Sequence, residues 1–116
     1  MKEILSQMIN YYRSVDVCPK HEVIVYDHAN NDLLIGFGKI IIDRKKEGRP
    51  AGLIEDIWTH EDYRGRGIGK EIILTLIEQA KAHDCYKVVL ICADHNIPFY
   101  EKCGFARHQN GMRLSL

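Results

Sequence analysis

Apolar residues recur along this chain with two different periods, and the switches between them outline its elements. Ile4, Leu5, Met8, Ile9 and Tyr12 stand at helical spacing, which predicts an amphipathic helix in a region that Pro19 closes. "EVIVYD" (22–27) is a short β-rich run, and the polar "HANND" after it has turn composition. "LLIGFGKIII" (33–42) predicts a longer strand whose two glycines point to a bulge or a close backbone contact. After the polar loop 43–52, "LIEDIWT" (53–59) predicts a third strand, so these three form an antiparallel meander.

Helical spacing then returns. Ile72, Ile73, Leu76, Ile77 and Ala80 mark one helix face, and "YKVVLIC" (86–92) reads as a buried strand. A strand, a helix and a second strand make a crossover, which sets 53–59 and 86–92 parallel in one sheet. "IPFYEKC" (97–103) predicts a short helix stopped at Gly104, a left-handed C-cap. "FARHQ" and "MRLSL" predict two terminal strands joined at Asn110-Gly111. The class is mixed α/β, with residues 1–116 forming a single domain.

Composition narrows the function classes. The 116 residues carry 16 basic and 16 acidic side chains, so no overall field draws the chain to nucleic acid or an anionic membrane. No apolar run reaches the roughly 20 residues that span a bilayer. Cys18, Cys85, Cys92 and Cys103 form no Cys-x-x-Cys pair and have no zinc-site spacing, so they read as reduced, mostly buried thiols of a cytoplasmic chain. The six histidines make no metal motif and read mostly as surface residues, with His60 noteworthy beside the third strand. No metal site is expected.

The chemistry gathers in "YRGRGIGKEI" (63–72), between a strand and a helix. There the free N–H groups of a helix N-terminus converge on an anion. Gly65, Gly67 and Gly69 let the backbone approach closely, and Arg64, Arg66 and Lys70 add charge, which suits a polyphosphate. The spacing is not that of a Walker A loop, because Arg64 holds the first glycine position and Glu71 follows Lys70. Nor do alternating glycines make the dinucleotide fingerprint. By itself the loop is equally a glycine-rich helix start with solvated arginines.

Arg64, Gly67 and Gly69 fit an Arg/Gln-x-x-Gly-x-Gly pattern that resembles the pyrophosphate loop of the GCN5-related N-acetyltransferases. "LIEDIWTHEDYRGRGIGK", "CYKVVLIC" and "NIPFYEKCGF" follow in that superfamily's order. More narrowly, "IEDI", "YRGRGIGK", "CYK", "FYEKCGF" and "GKIIIDRK" (38–45) resemble the glucosamine-6-phosphate N-acetyltransferases over residues 33–116. The resemblance implies a mostly antiparallel twisted sheet, helices on both faces, and a parallel pair that splays to admit coenzyme A. It further implies acetyl-CoA as co-substrate, without metal, and direct acetyl transfer to an amine in a ternary complex.

On this resemblance the donor site comprises Ile57, Trp58, Thr59, Arg64, Gly65, Arg66, Gly67, Ile68, Gly69, Lys70, Asn96, Tyr100 and Lys102. A bulge near Ile57 or Trp58 frees an N–H for the oxyanion. Tyr100 is the acid that protonates the departing thiolate, or else a packing tyrosine beside Phe99. Asn96 either caps its helix or meets coenzyme A. The acceptor residues are Lys45, Glu55, Asp56, Tyr86 and Lys87, with Glu55 assisting the amine. Regular pleating sends Glu55 and Asp56 to opposite faces, so either acts alone or both are edge residues in solvated ion pairs.

Several positions depart from the sugar-phosphate pattern. Ile91 stands where an acid precedes the cysteine, and the chain ends on Ser115 and Leu116 where a basic residue is usual. Arg113 is the available substitute on the last strand, and Trp58 replaces a small residue. Only residues 1–21 precede the first clear strand, so an expected strand is missing and a sheet edge is left open. The resembled enzymes pair through C-terminal strands, and Met112, Leu114 and Leu116 alternate suitably for a homodimer. The acceptor is then an amino-sugar phosphate, with a polyamine, an amino acid or a protein lysine as rivals. A silent acyl-CoA-binding module and a metal-free nucleotide-binding protein are the non-enzyme alternatives.

Overall fold

The computed structural model describes residues 9–14, 20–44 and 48–116. Five strands form one sheet in sequential order: β1 (Ile9–Ser14), β2 (Lys20–Asp27), β3 (Leu33–Asp43), β4 (Ala51–Thr59) and β5 (Lys87–Val89). The first three pairings are antiparallel and β4–β5 is parallel, the crossover running through α1 (Ile68–Ala82). A second helix, α2 (Ile97–Lys102), follows β5. The mixed sheet with one parallel pair and flanking helices is the predicted fold class.

Alternation decides which face is covered. In β2, His21, Val23, Val25 and Asp27 are buried and their neighbours half-buried. In β3, Gly36, Gly38, Ile40 and Ile42 face the same way. The predicted stripe of α1 lies on that face, with Ile68, Ile72, Ile73, Leu76 and Ala80 buried against it. Gly36 and Gly38 mark close approach: a Cβ on Gly38 would stand 2.6 Å from Ile72 Cγ2 and 2.7 Å from Ile57 Cδ1. A bulge lies there too, since Val25 pairs with Gly36 but Tyr26 with Leu34, leaving Ile35 as the extra residue.

The ends of the chain correct the expectations. Ile9 and Tyr12 lie in a strand, not on a helix; Ile4, Leu5, Met8, Cys18, Pro19 and Lys45 fall outside the described residues. Helical spacing lost to pairing with β2, which satisfies backbone groups along "INYYRS", a run with two β-favouring tyrosines. A strand therefore does precede β2 and covers its edge. The edges of this sheet are β1 and β5.

β5 is shorter and less buried than expected. Lys87 is exposed, Val88 and Val89 are half-buried, and Ile91 lies beyond the strand at 84% exposure. Residues 105–116 form neither predicted strand, and Met112, Leu114 and Leu116 are exposed. Among the described residues nothing pairs with the outer edge of β5, and a lone hairpin is marginal in water. Cys85, Cys92 and Cys103 are free thiols as expected, but half-buried rather than buried. His21 is no surface residue: at 5% exposure it lies 3.2 Å, Nε2 to Nε2, from His83.

Candidate active site

β4 and β5 are hydrogen-bonded only from Ala51–Lys87 to Leu53–Val89; β4 then continues for six residues without that neighbour. The parting follows from sequence: Leu90–Cys92 leave the strand, while β4 stays paired to β3 as far as Thr59. Beyond the parting, β4 carries a bulge. Phe37 pairs with Trp58 and Lys39 with Glu55, so Asp56 and Ile57 together oppose Gly38. Asp56 takes a left-handed conformation at φ 58°, which Asp tolerates better than most residues. The extra residue interrupts the ladder and leaves backbone groups unpaired. A bulge was expected near Ile57, and it lies at Asp56–Ile57.

The bulge also overturns the expectation for the two carboxylates. Glu55 and Asp56 do not diverge across the sheet. Both reach Lys39: Asp56 Oδ2 lies 3.0 Å and Glu55 Oε2 3.7 Å from its Nζ. A regular strand separates adjacent side chains by its pleat, and the left-handed residue cancels that alternation here.

α1 follows β4 after the loop 60–67. Gly67, at φ 85°, is its N-cap and supplies no side-chain cap, and the first intrahelical bond runs from Glu71 N to Gly67 O. The N–H groups of Ile68, Gly69 and Lys70 therefore have no intrahelical acceptor. The loop ahead is fixed by its own side chains. Arg64 Nε donates to Thr59 O at 3.3 Å, and Arg66 donates to Asp62 O at 3.1 Å while stacking 4.9 Å over the Tyr63 ring. His60 Nδ1 accepts from Asp62 N, which explains that histidine as a turn cap.

These groups share one groove of about 480 Å³. Ile57, Trp58, Thr59, Arg64, Gly65, Gly67, Ile68, Gly69, Lys70, Asn96 and Tyr100 line it; Arg66 and Lys102 do not. Asn96 makes no side-chain capping bond, so its amide is not engaged as a helix cap. Tyr63, His95 and Phe99 also line the groove and were not singled out beforehand. The signal for Phe99 is Gly69: a Cβ there would lie 3.3 Å from Phe99 Cζ, so the glycine lets α2 close on the loop. The uncapped amides and flanking cations fit a diphosphate.

Tyr100 sits at the groove's far wall, its ring edge-on to Phe99 at 5.0 Å and to Phe105 at 6.0 Å. α2 holds it there and ends in a Schellman motif: Gly104 N bonds Glu101 O, Phe105 N bonds Tyr100 O, and Gly104 has φ 100°. Burial, reinforced by Cys92 and Cys103 beside it, raises its pKa above the usual phenol value. Tyr100 is thus a protonated hydroxyl throughout the neutral range.

A second cavity, of about 510 Å³, opens between β4 and the segment after β5. Of the expected acceptor residues, Glu55, Asp56 and Lys87 line it, together with Ile91, His108 and Asn110. Tyr86 does not: it is 56% exposed, and Lys87 Nζ lies 5.2 Å over its ring. Lys39 was missed because its strand position reads as a solvated lysine, and only the bulge brings both acids to it. No cluster of three metal-binding side chains occurs among the described residues, and no helix there is long and apolar enough to cross a membrane.

A parallel pair that parts over an uncapped, glycine-rich helix start defines an acetyltransferase fold. The chain belongs to the acetyltransferase (GNAT) family, whose profile matches residues 5–105. It is 39% identical over 94 residues to a glucosamine 6-phosphate N-acetyltransferase of Trypanosoma brucei brucei, covering 79% of this chain and 64% of that protein. It is also 39% identical over 87 residues to the enzyme of that name from Schizosaccharomyces pombe, covering 73% and 78%. The chain thus spans a little under two thirds of the trypanosome relative's length. Among solved structures it superposes on an acetyltransferase of Trypanosoma brucei with a TM-score of 0.80 and 36% identity, over 84% of this chain and 70% of the other. On glucosamine-6-phosphate N-acetyltransferase of Arabidopsis thaliana the TM-score is 0.79 at 28% identity, over 84% and 67%.

Proposed function

We propose that this chain is an acetyl-CoA-dependent N-acetyltransferase whose acceptor is an amino-sugar phosphate, the substrate that names its relatives. The observation that carries the proposal is the open first turn of α1, which shares one groove with Tyr100 and the post-bulge residues of β4. The amides of Ile68, Gly69 and Lys70 bind the diphosphate, and Arg64 and Lys70 add charge. The pantetheine arm runs along Ile57–Thr59, and an N–H at the bulge donates to the thioester oxygen as negative charge develops on it. Such a donor is typically worth about 3 kcal/mol in the transition state.

The acceptor nitrogen attacks the thioester carbon, the C–N bond forms and the C–S bond breaks. Tyr100 gives its proton to the leaving thiolate, and the amine's proton departs toward Glu55 through water. Lys87 faces the acceptor's phosphate. Asn96 supports the donor from the other wall.

Release of coenzyme A thiol, measured with acetyl-CoA and a panel of amines, tests this. Turnover is expected with glucosamine 6-phosphate. Turnover with other amines alone replaces the acceptor, and tight donor binding without turnover makes the chain a binding module. A different amine is a second reading with its own support: Ile91, apolar and 84% exposed, lines the cavity where an acid was expected.

A further inference from the structure

Among the described residues, Lys39 is the basic side chain that forms an ion pair with both Glu55 and Asp56, and its surroundings are specific. Gly36, Gly38, Ile40 and Ile42 of β3 face α1, so Lys39 projects from the opposite face, level with its β4 partner Glu55. The bulge turns Asp56 toward the same ammonium, giving N–O separations of 3.0 Å and 3.7 Å. The Lys39 side chain is 22% exposed against 48% for Glu55 and 64% for Asp56, so its stem lies along the sheet while its ammonium reaches the two acids. On the other flank, β2 places Glu22 opposite Lys39, but Lys20 Nζ occupies Glu22 at 3.0 Å. Lys87 and His108 also line the cavity. The hydrogen bond that Lys39 donates to Asp56 leads the influences that raise its pKa, ahead of the charges of Asp56, Glu55 and Glu22, so it stays charged at neutral pH.

We infer that Lys39 is the resident countercation of the acceptor site, cancelling one of the two negative charges that meet an incoming ammonium. The inference rests on the proposed acetyl transfer to an amine. Two uncompensated carboxylates bind an ammonium well but hold its proton, and a protonated amine cannot attack a thioester. One carboxylate in excess over Lys39 attracts the amine and still lets it deprotonate. Lys39 touches neither substrate nor thioester in this scheme. It is a positioning residue that acts through Glu55 and Asp56.

The test compares wild type with Lys39→Met and Lys39→Arg, each first shown folded by circular dichroism and an unchanged affinity for coenzyme A. In Lys39→Met the acid limb of kcat against pH is expected to move up by about one pH unit, so kcat falls about tenfold on that limb, because a charge within reach shifts a pKa by one or more units. The acceptor KM falls in the same variant. Lys39→Arg restores both. A uniform loss of kcat with the limb unmoved means a merely structural role and overturns the inference. Calorimetry gives a readout that needs no turnover: the ratio of affinities for glucosamine 6-phosphate over its N-acetylated product must rise severalfold in Lys39→Met. If no amine is turned over, the proposed function fails on its own, and the affinity ratio still decides about Lys39. An unchanged ratio, or no binding of either sugar, overturns the inference. Should Lys39→Met fail to fold, Lys39→Gln is put through the same measurements.

Discussion

The hydroxyl of Tyr63 donates to Oδ2 of Asp27 across 2.5 Å, joining the last residue of β2 to the turn that opens the donor loop. Both residues are buried, and the other oxygen of Asp27 accepts from Ala29 N at 3.0 Å. Asn30 Nδ2 donates to the same tyrosine oxygen at 3.3 Å. The ring in turn carries Arg66 on one face and meets His60 edge-on. One phenol therefore fixes the position of the loop.

Tyr63→Phe removes the donor and leaves a buried carboxylate short of a partner, which costs about 1–3 kcal/mol. Urea unfolding is expected to show a loss in that range. Coenzyme A affinity should also fall, because the amides of the loop lose their anchor. A double-mutant cycle with Asp27→Asn separates the bond from general loss of packing: coupling near zero would show that the 2.5 Å contact contributes nothing.

Tyr100 makes a sharper prediction about chemistry. With its pKa raised by burial, the neutral phenol is favoured in the folded chain. Its contribution to stability is then fully present below the ordinary phenol value, near 10, and is lost as pH rises through the higher folded value. If Tyr100 is the acid of the proposed mechanism, it stays loaded through the whole range in which an amine nucleophile becomes neutral, and the alkaline limb of kcat should begin no lower than about pH 10. Tyr100→Phe is expected to cut kcat by about 100-fold with coenzyme A affinity within about twofold of wild type. Retained kcat in that variant transfers the proton to another donor.

The order of β2, β3, β4, α1, β5 and α2 was legible because each element has a periodic apolar face or a glycine stop. The donor loop was legible for a related reason: amides at a helix start need glycines and cations close in sequence. What could not be read depended on partners distant in the chain. Ile9 and Tyr12 keep helical spacing yet join β2, because an open strand edge outweighs a weak local preference. Asp56 gives no sign that its backbone is left-handed, so the meeting of Glu55 and Asp56 at Lys39 was invisible. Residues 105–116 alternate like strands, but they do not pair with the free edge of β5, and a hairpin that stands alone is marginal in water.

Packing of α1 on β3 depends on missing side chains. A methyl on Gly38 would sit 2.6 Å from Ile72 Cγ2, 2.7 Å from Ile57 Cδ1 and 3.2 Å from Leu76 Cδ1, all from well-packed residues. Gly38→Ala is expected to destabilise the chain by about 1–3 kcal/mol through overpacking. Because Ile57 is one of the displaced residues, the bulge moves with it, and kcat should fall more than donor affinity. Gly48→Ala is the comparison: nothing lies within 4 Å of its added methyl, and it pays only for a positive φ of 82°. Unfolding free energies and kinetics of the two variants, taken together, check the assignment; equal losses would remove packing as the cause.

The C-terminal segment leads to a prediction about assembly. Met112 is 96% exposed and Leu114 85%, and with Leu116 they alternate with Arg113 and Ser115. Ile91 adds another exposed apolar side chain beside Gly111, whose missing Cβ leaves room 3.4 Å from Ile91 Cγ2. Burying a side chain of this size is worth about 1.5–3 kcal/mol, so leaving a row of them in water is costly when a like segment can cover them. The outer edge of β5 stands ready to pair, and a second copy brings both an edge and a C-terminal segment of alternating pattern. A homodimer is expected, with twice the 13.4 kDa chain mass by light scattering. Met112→Glu combined with Leu114→Glu should convert it to monomer while leaving the circular dichroism of the sheet and α1 nearly unchanged. A wild-type chain that stays monomeric at high concentration would leave those side chains without a partner copy, and the double variant would then match wild type in mass.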